Sequence, residues 1–210
     1  MSKSQRNAIS TKAKIIENSM ILFSKNGFDA TTVDEIANES EVNKALLYYY
    51  FKNKSILYET VMNEVLSSIY AQIIEANKLC TNPVSELEAF IKTYADFADK
   101  QPYFPALLLR ELSDNGAHLP EKMFSSMRRL FKLLSAILKK GEEEGVFQNV
   151  VPMVIHFMII GTINLLVTTA PLRKKAALIN EEIDTCSDCS IDEISNYIFE
   201  KIKGILEVKE

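Results

Sequence analysis

The chain has 210 residues, 47% hydrophobic and 25% charged, the balance of a foldable protein with room for one large domain or a small module on a larger one. Six Gly and six Pro leave little room for the many tight turns of an all-β fold, and three cysteines exclude a disulfide framework. The net charge of −4 is uneven: residues 1–58 hold eight Lys or Arg against six acids, a balance of +2, so the remainder carries −6. A mildly basic head on an acidic body suits a protein whose head alone meets phosphates. With no apolar signal region at the N-terminus, the expected location is the cytoplasm.

Apolar residues recur at helical spacing almost everywhere, which predicts an all-α fold of about nine helices. The first is expected over Thr11–Asn26, with Ile15, Ile16, Met20, Leu22 and Phe23 as its buried stripe and Asn26-Gly27 as its stop. Thr32 and Glu35 make a capping box that opens a short second helix, reaching about Ser40. Glu41-Val42-Asn43 forms a turn, and Asn43 caps a third short helix over Lys44–Tyr50. Asn53 caps a fourth, which runs to about Leu79 and stops ahead of Asn82-Pro83.

Further helices are expected over Ser85–Lys100, Phe104–Asp114, Pro120–Glu144 and Val151–Thr169. Pro171–Cys189 has no sustained period and reads as a loop with at most a helical turn around Lys174–Asn180. Ser190 and Glu193 form another capping box, and Ile191, Ile194, Ile198, Ile202 and Ile205 carry an apolar stripe towards the C-terminus. No Asp, Glu, Lys or Arg occurs from Gly145 to Leu172, a run that could just span a bilayer. Pro152, His156, Thr162 and Asn164 interrupt it, so it is expected to be a buried interface helix, with no membrane partner.

Two helices of about two turns joined by a three-residue turn match the helix-turn-helix, whose second helix enters the major groove. Its leading residues here are Asn43, Lys44, Ala45 and Leu46. Lys44 can donate to guanine or phosphate, and Ala45 or Leu46 can touch a thymine methyl. Tyr48-Tyr49-Tyr50 cannot all face one core at 3.6 residues per turn. Tyr48 and Phe51 are expected to pack between helices, and Tyr49, Tyr50 and Lys54 to meet phosphates.

Ile15, Leu22-Phe23, Gly27-Phe28, Thr31-Thr32-Val33, Ile36-Ala37, Val42-Asn43-Lys44 and the run Leu47 to Lys54 stand in a specific order. Through them the segment from Lys12 to Met62 resembles the N-terminal domain of the TetR/AcrR family of transcriptional regulators. The resemblance implies phosphate contacts at Thr32, Tyr49, Tyr50 and Lys54 and base reading at Asn43–Leu46. It further implies a helix-turn-helix domain over residues 1–55, a ligand-binding and dimerisation domain over 56–210, and a homodimer paired through the last two helices. Glu41 stands where the family usually has Gly, so the turn either adopts a left-handed residue at some cost or takes a slightly different path, and Leu46 replaces a small polar residue.

The expected partners are double-stranded operator DNA, a second copy of the chain and a small, largely apolar effector, with no cofactor and no metal. Phe90, Tyr94, Tyr103, Phe104, Leu108, Arg110 and Phe131 are candidate ligand contacts, an aromatic stripe that also fits plain core. His156, Ile160, Asn164, Ile194, Ile198 and Ile202 are the expected interface residues. Cys186-x-x-Cys189 reads as incidental cysteines, a redox pair, or half of a metal site shared across a dimer. No Ser-His-Asp, Cys-His or Glu-x-x-His constellation supports an enzyme, and a ligand-independent architectural or activator protein is the other alternative.

Overall fold

The computed structural model describes residues 3–179 and 186–208, with side chains described from Ile9 onward. Ten helices occur among them: α1 (Lys3–Asn26), α2 (Val33–Glu39), α3 (Lys44–Phe51), α4 (Lys54–Asn77), α5 (Pro83–Lys100), α6 (Tyr103–Ser113), α7 (Glu121–Glu143), α8 (Pro152–Thr168), α9 (Ala170–Ala177) and α10 (Ile191–Leu206). The only pairing of extended backbone among the described residues is an isolated bridge between Phe147 and Glu207.

Local chemistry sets most of the boundaries. Thr32 with Glu35 and Ser190 with Glu193 form the expected capping boxes, and Asn43 accepts from the Leu46 N–H. Asn53 Oδ1 accepts from the Ile56 N–H at 2.9 Å, opening α4. Gly27 ends α1 at φ 84°, a left-handed conformation that costs glycine little. Two elements differ from expectation. α1 starts at Lys3, eight residues ahead of the expected start at Thr11, and the expected loop after Pro171 begins with α9. Pro171 lies in the first turn of α9, where its missing N–H has no helical partner to lose.

The chain divides into two compact units. The first comprises Met1–Ser67 with Ala106–Ser126, so a boundary after residue 55 captures only part of it. Its core holds Ile15, Phe23, Ile36, Leu47, Phe51, Leu57 and Tyr58, each at most 1% exposed. The second comprises Ser68–Pro105 and Met127–Glu210. There α10 packs on α5 and α8, α5 packs on α8, and α9 adjoins α8. Phe90, Ile91, Tyr94, Phe104, Leu134, Ile159 and Ile163 are buried in this unit. A Cβ on Gly141 of α7 would lie 1.9 Å from the Phe147 ring, so only glycine lets that ring close on the helix.

The apolar run forms α8, whose two faces differ. Ile155, Ile159, Ile160, Ile163 and Asn164 are buried, whereas Val154, Phe157, Met158 and Leu165 are exposed. Among the described residues no single helix is long and apolar enough to cross a membrane, and α8 and α9, which reach that length only together, are bent by 58°.

Candidate nucleic-acid interface

The turn between α2 and α3 is held from α1. The Asn18 side-chain amide donates to the Glu39 carbonyl at 3.0 Å and to Ser40 Oγ at 3.4 Å, and Lys14 pairs with Glu41. The Val42 N–H returns to the Ala37 carbonyl at 3.0 Å. Glu41 adopts φ 53°, the left-handed conformation that a non-glycine residue in this turn demands. The Lys14 ammonium holds the Glu41 carboxyl below its ordinary range.

α3 is anchored by Leu47 and Phe51, buried one turn apart on one face. The opposite face presents Lys44, Ala45, Tyr48 and Tyr49 to solvent, with Tyr49 80% exposed. Tyr48, expected to pack between helices, is 41% exposed. The Tyr49 and Tyr50 rings meet edge-on at 5.5 Å, and Tyr50 is half-buried. Asn43 uses Oδ1 as the cap at 2.7 Å, which leaves its amide N–H groups as the donors it can offer a base. Lys44 donates to Asp34 at 2.8 Å, a link that raises its affinity for the proton.

Two expected phosphate contacts carry internal bonds. The Thr32 hydroxyl donates to the Glu35 carboxylate at 2.9 Å and accepts from the Glu35 N–H at 3.2 Å. These bonds, with that from the Thr32 N–H, hold the Glu35 carboxyl below its ordinary range. Lys54 is likewise engaged within the chain. Its ammonium donates to the carbonyls of Phe28 at 2.8 Å, Thr31 at 3.1 Å and Asp29 at 3.3 Å, and lies 4.3 Å from the Phe28 ring centre. These three acceptors match the three N–H groups of the ammonium. Lys52, which closes α3 at φ 58° with an exposed side chain, is the nearby lysine directed to solvent.

Sequence reasoning missed a buried polar cluster in the same unit. The Tyr58 phenol donates to Glu111 at 2.5 Å, with Tyr58 1% and Glu111 2% exposed. Burial first, and the adjacent carboxylate second, push the phenol far above its ordinary range. His118 stacks on Phe28 at 4.9 Å, with Nε2 3.3 Å from Asp29 and Nδ1 3.6 Å from Asp114 and 3.8 Å from Glu111. Asn115-Gly116, the turn that places His118, was the one legible signal.

The candidate ligand residues separate. Phe90, Tyr94 and Phe104 are buried in the second unit, Phe131 is half-buried there, and Tyr103 is 38% exposed. Tyr94 donates to Asn164 at 2.9 Å inside that core. Leu108 and Arg110 belong to the first unit, where Arg110 donates to the Lys25 carbonyl at 2.9 Å and lies against Gly27. Arg110 thus clasps the end of α1.

Of the expected interface residues, Ile160, Asn164, Ile194, Ile198 and Ile202 are buried in the lone protomer, and Ile194, Ile198 and Ile202 also line an open groove between α8 and α10. The apolar surface left open is the complementary one: Val154, Phe157, Met158 and Leu165 on α8, with Tyr197 and Ile205 on α10. His156 is half-buried between the Phe131 and Phe157 rings, and burial lowers its proton affinity. Cys186 and Cys189 are joined as a disulfide.

A short helix fixed on a buried face, preceded by a rigid three-residue turn and leading with polar groups, defines a helix-turn-helix DNA-binding protein. Residues 15–61 match the family described as "Bacterial regulatory proteins, tetR family", and residues 83–175 match "Tetracyclin repressor-like, C-terminal domain". The chain is 30% identical over 139 residues to the "probable HTH-type transcriptional regulator YttP" of Bacillus subtilis, across 65% of this chain and 67% of that one. It is 50% identical over 48 residues to the biofilm-operon negative regulator IcaR of Staphylococcus aureus, 23% of this chain and 26% of that one. The fold matches Bacillus subtilis FadR in complex with stearoyl-CoA at TM-score 0.72 and 21% identity, over 92% of this chain and 98% of that one. The chain belongs to the TetR family and is a helix-turn-helix transcriptional regulator.

Proposed function

We propose that the chain is a homodimeric repressor that reads a near-palindromic operator and releases it when an apolar effector binds the second unit. The observation that carries this reading is the presentation of α3. Asn43, Lys44 and Ala45 lead into solvent while Leu47 and Phe51 hold the helix from behind. In this reading Asn43 and Lys44 donate to base edges and Ala45 and Leu46 contact thymine methyls. Tyr49, Tyr50 and Thr32 lie on phosphates, Thr32 after Glu35 yields its hydroxyl, and Lys52 takes the phosphate role in place of Lys54.

Dimerisation is supported by the exposed face of α8 and α10, where Val154, Phe157, Met158, Leu165, Tyr197 and Ile205 form a stripe that a lone protomer leaves in water. A twofold pairing sets two α3 helices against half-sites one helical turn apart. The effector site falls among Phe90, Tyr94 and Phe131, with the Tyr94–Asn164 pair as its polar anchor. A long-chain acyl thioester is the first ligand class to test, since FadR is seen in complex with stearoyl-CoA. The effector must favour a conformation with lower affinity for DNA, and DNA must oppose the effector to the same degree.

The test is fluorescence anisotropy with the chain's own upstream DNA, using wild type, Asn43→Ala and Lys44→Ala. Each substitution is expected to cost about 1–3 kcal/mol at its base pair and to relax specificity there. Stearoyl-CoA added to the wild-type complex is expected to lower the anisotropy. Equal affinity of wild type and both variants for operator and scrambled DNA refutes base reading by α3.

A further inference from the structure

We infer that the Cys186–Cys189 disulfide is a thiol-sensitive site that sets the strength of pairing between two copies of the chain. The inference rests on the dimer proposed above. A groove of about 670 Å³ lies between α8 and α10, walled by Met158, Thr162, Ile194, Tyr197, Ile198 and Ile205, and both cysteines line it. They therefore stand at the edge of the surface that a second copy covers.

The disulfide shapes that edge through the backbone. Ser190, the residue after Cys189, is the N-cap of α10. Cys186 is held at φ 49°, a left-handed conformation that a β-carbon-bearing residue keeps only where its surroundings enforce it. Two bonds pin it: the link to Cys189, and the Arg173 guanidinium, which donates to the Cys186 carbonyl. Arg173 also donates to the Leu166 carbonyl of α8 at 2.8 Å. One arginine and one disulfide thus tie the start of α10 to the end of α8. Opening the S–S link removes one constraint that holds Cys186 in the left-handed region and its carbonyl on Arg173.

Cys189 is exposed, so a small thiol can reach its sulfur. A low-molecular-weight thiolate attacks Cys189 Sγ, forms a mixed disulfide and releases Cys186 as a thiolate, which takes up a proton. A second small thiol resolves the mixed disulfide. The products are two protein thiols and one small disulfide, a transfer of two electrons and two protons. Oxidation by a small-molecule disulfide runs the same steps in reverse. The loop Cys-Ser-Asp-Cys keeps the two thiols close, so re-closure carries a small loop-closure entropy.

The experiment uses the full chain, oxidised with glutathione disulfide or reduced with dithiothreitol, beside the variant C186S/C189S. Intact mass after alkylation establishes the thiol state, sedimentation measures the dimer Kd, and amide exchange follows the first turn of α10. Reduction is expected to shift the dimer Kd of wild type by tenfold or more and to speed exchange at the start of α10. The variant is expected to match reduced wild type under both conditions. A dimer with the same Kd and exchange in both states overturns this proposal alone, as does a chain that stays dithiol after oxidation. A chain that is monomeric in both states overturns the dimer reading and this proposal with it.

Discussion

Replacing Lys54 with methionine separates a structural role from a DNA-binding one. The substitution keeps the length and apolar stem of the side chain and removes the ammonium. Lost with it are bonds to the carbonyls of Phe28 and Thr31 at 2.8 and 3.1 Å, a longer one to Asp29 at 3.3 Å, and the ring contact at 4.3 Å. Bonds to a charged group contribute about 1.5–3 kcal/mol each when buried. Lys54 is half-buried, so the two short bonds are taken at the low end and halved, to about 1.5 kcal/mol together. The ring adds about 0.5 kcal/mol at a partly exposed site. The sum is about 2 kcal/mol, which for a chain of this size lowers Tm by about 4–8 °C.

Calorimetry of Lys54→Met beside Lys52→Met reads this directly, together with the slope of log Kd against log salt for operator DNA. Lys54→Met is expected to melt earlier with an unchanged salt slope. Lys52→Met is expected to keep its Tm and to lose about 0.9 in slope for each phosphate contact removed. A Lys54→Met protein with wild-type Tm and a shallower slope refutes the carbonyl clasp and restores Lys54 to the phosphates.

Tyr58→Phe removes the phenol from Glu111 and leaves a carboxylate with 2% exposure short of its closest donor, so unfolding is expected to cost about 2–3 kcal/mol less, read by urea denaturation. Gly141→Ala drives a methyl into the Phe147 ring at 1.9 Å, and repacking is expected to cost about 1–3 kcal/mol, measured in the same way. Burial lowers the proton affinity of His156, so its unfolded form binds the proton more readily. Its stabilisation is complete above the ordinary value of 6.5 and is lost as pH falls from there towards its lower folded value. The Tm of wild type is therefore expected to fall faster than that of His156→Gln below that pH, and parallel profiles contradict the assignment.

What could be read without the structure follows the range of each interaction. Caps act over three residues, so Thr32–Glu35, Asn43, Asn53 and Ser190–Glu193 were legible, and with them the helix-turn-helix. At Glu41 the resemblance left a left-handed residue or a different path open, and the structure takes the first. The carbonyl acceptors of Lys54 were not legible because they lie 23 to 26 residues away, on a loop whose course no local pattern records. The inward face of α8 was illegible for a different reason. α8 is apolar on every face, so periodicity cannot tell its inside from its outside, and only packing against α5 and α10 assigns Ile160 and Asn164 to the core and Phe157 and Leu165 to the surface. On α10 the stripe is cleaner, and Ile194, Ile198 and Ile202 are its inward face. α9 and the start of α1 have no apolar stripe to announce them. Arg110 and Glu111 are neighbours whose partners, Lys25 and Tyr58, are distant in sequence.

The most direct test of the central claim is a footprint on the DNA flanking the chain's own gene, repeated across salt with wild type and Tyr49→Ala. Tyr49 is 80% exposed on the reading face and is not part of the core, so its loss is expected to leave Tm unchanged. The expected result is a protected near-palindrome with half-sites about 34–36 Å apart, and a weaker complex with a shallower salt slope for Tyr49→Ala. An intact dimer that protects no site at any salt, or a Tyr49→Ala protein that binds as wild type does, contradicts the account.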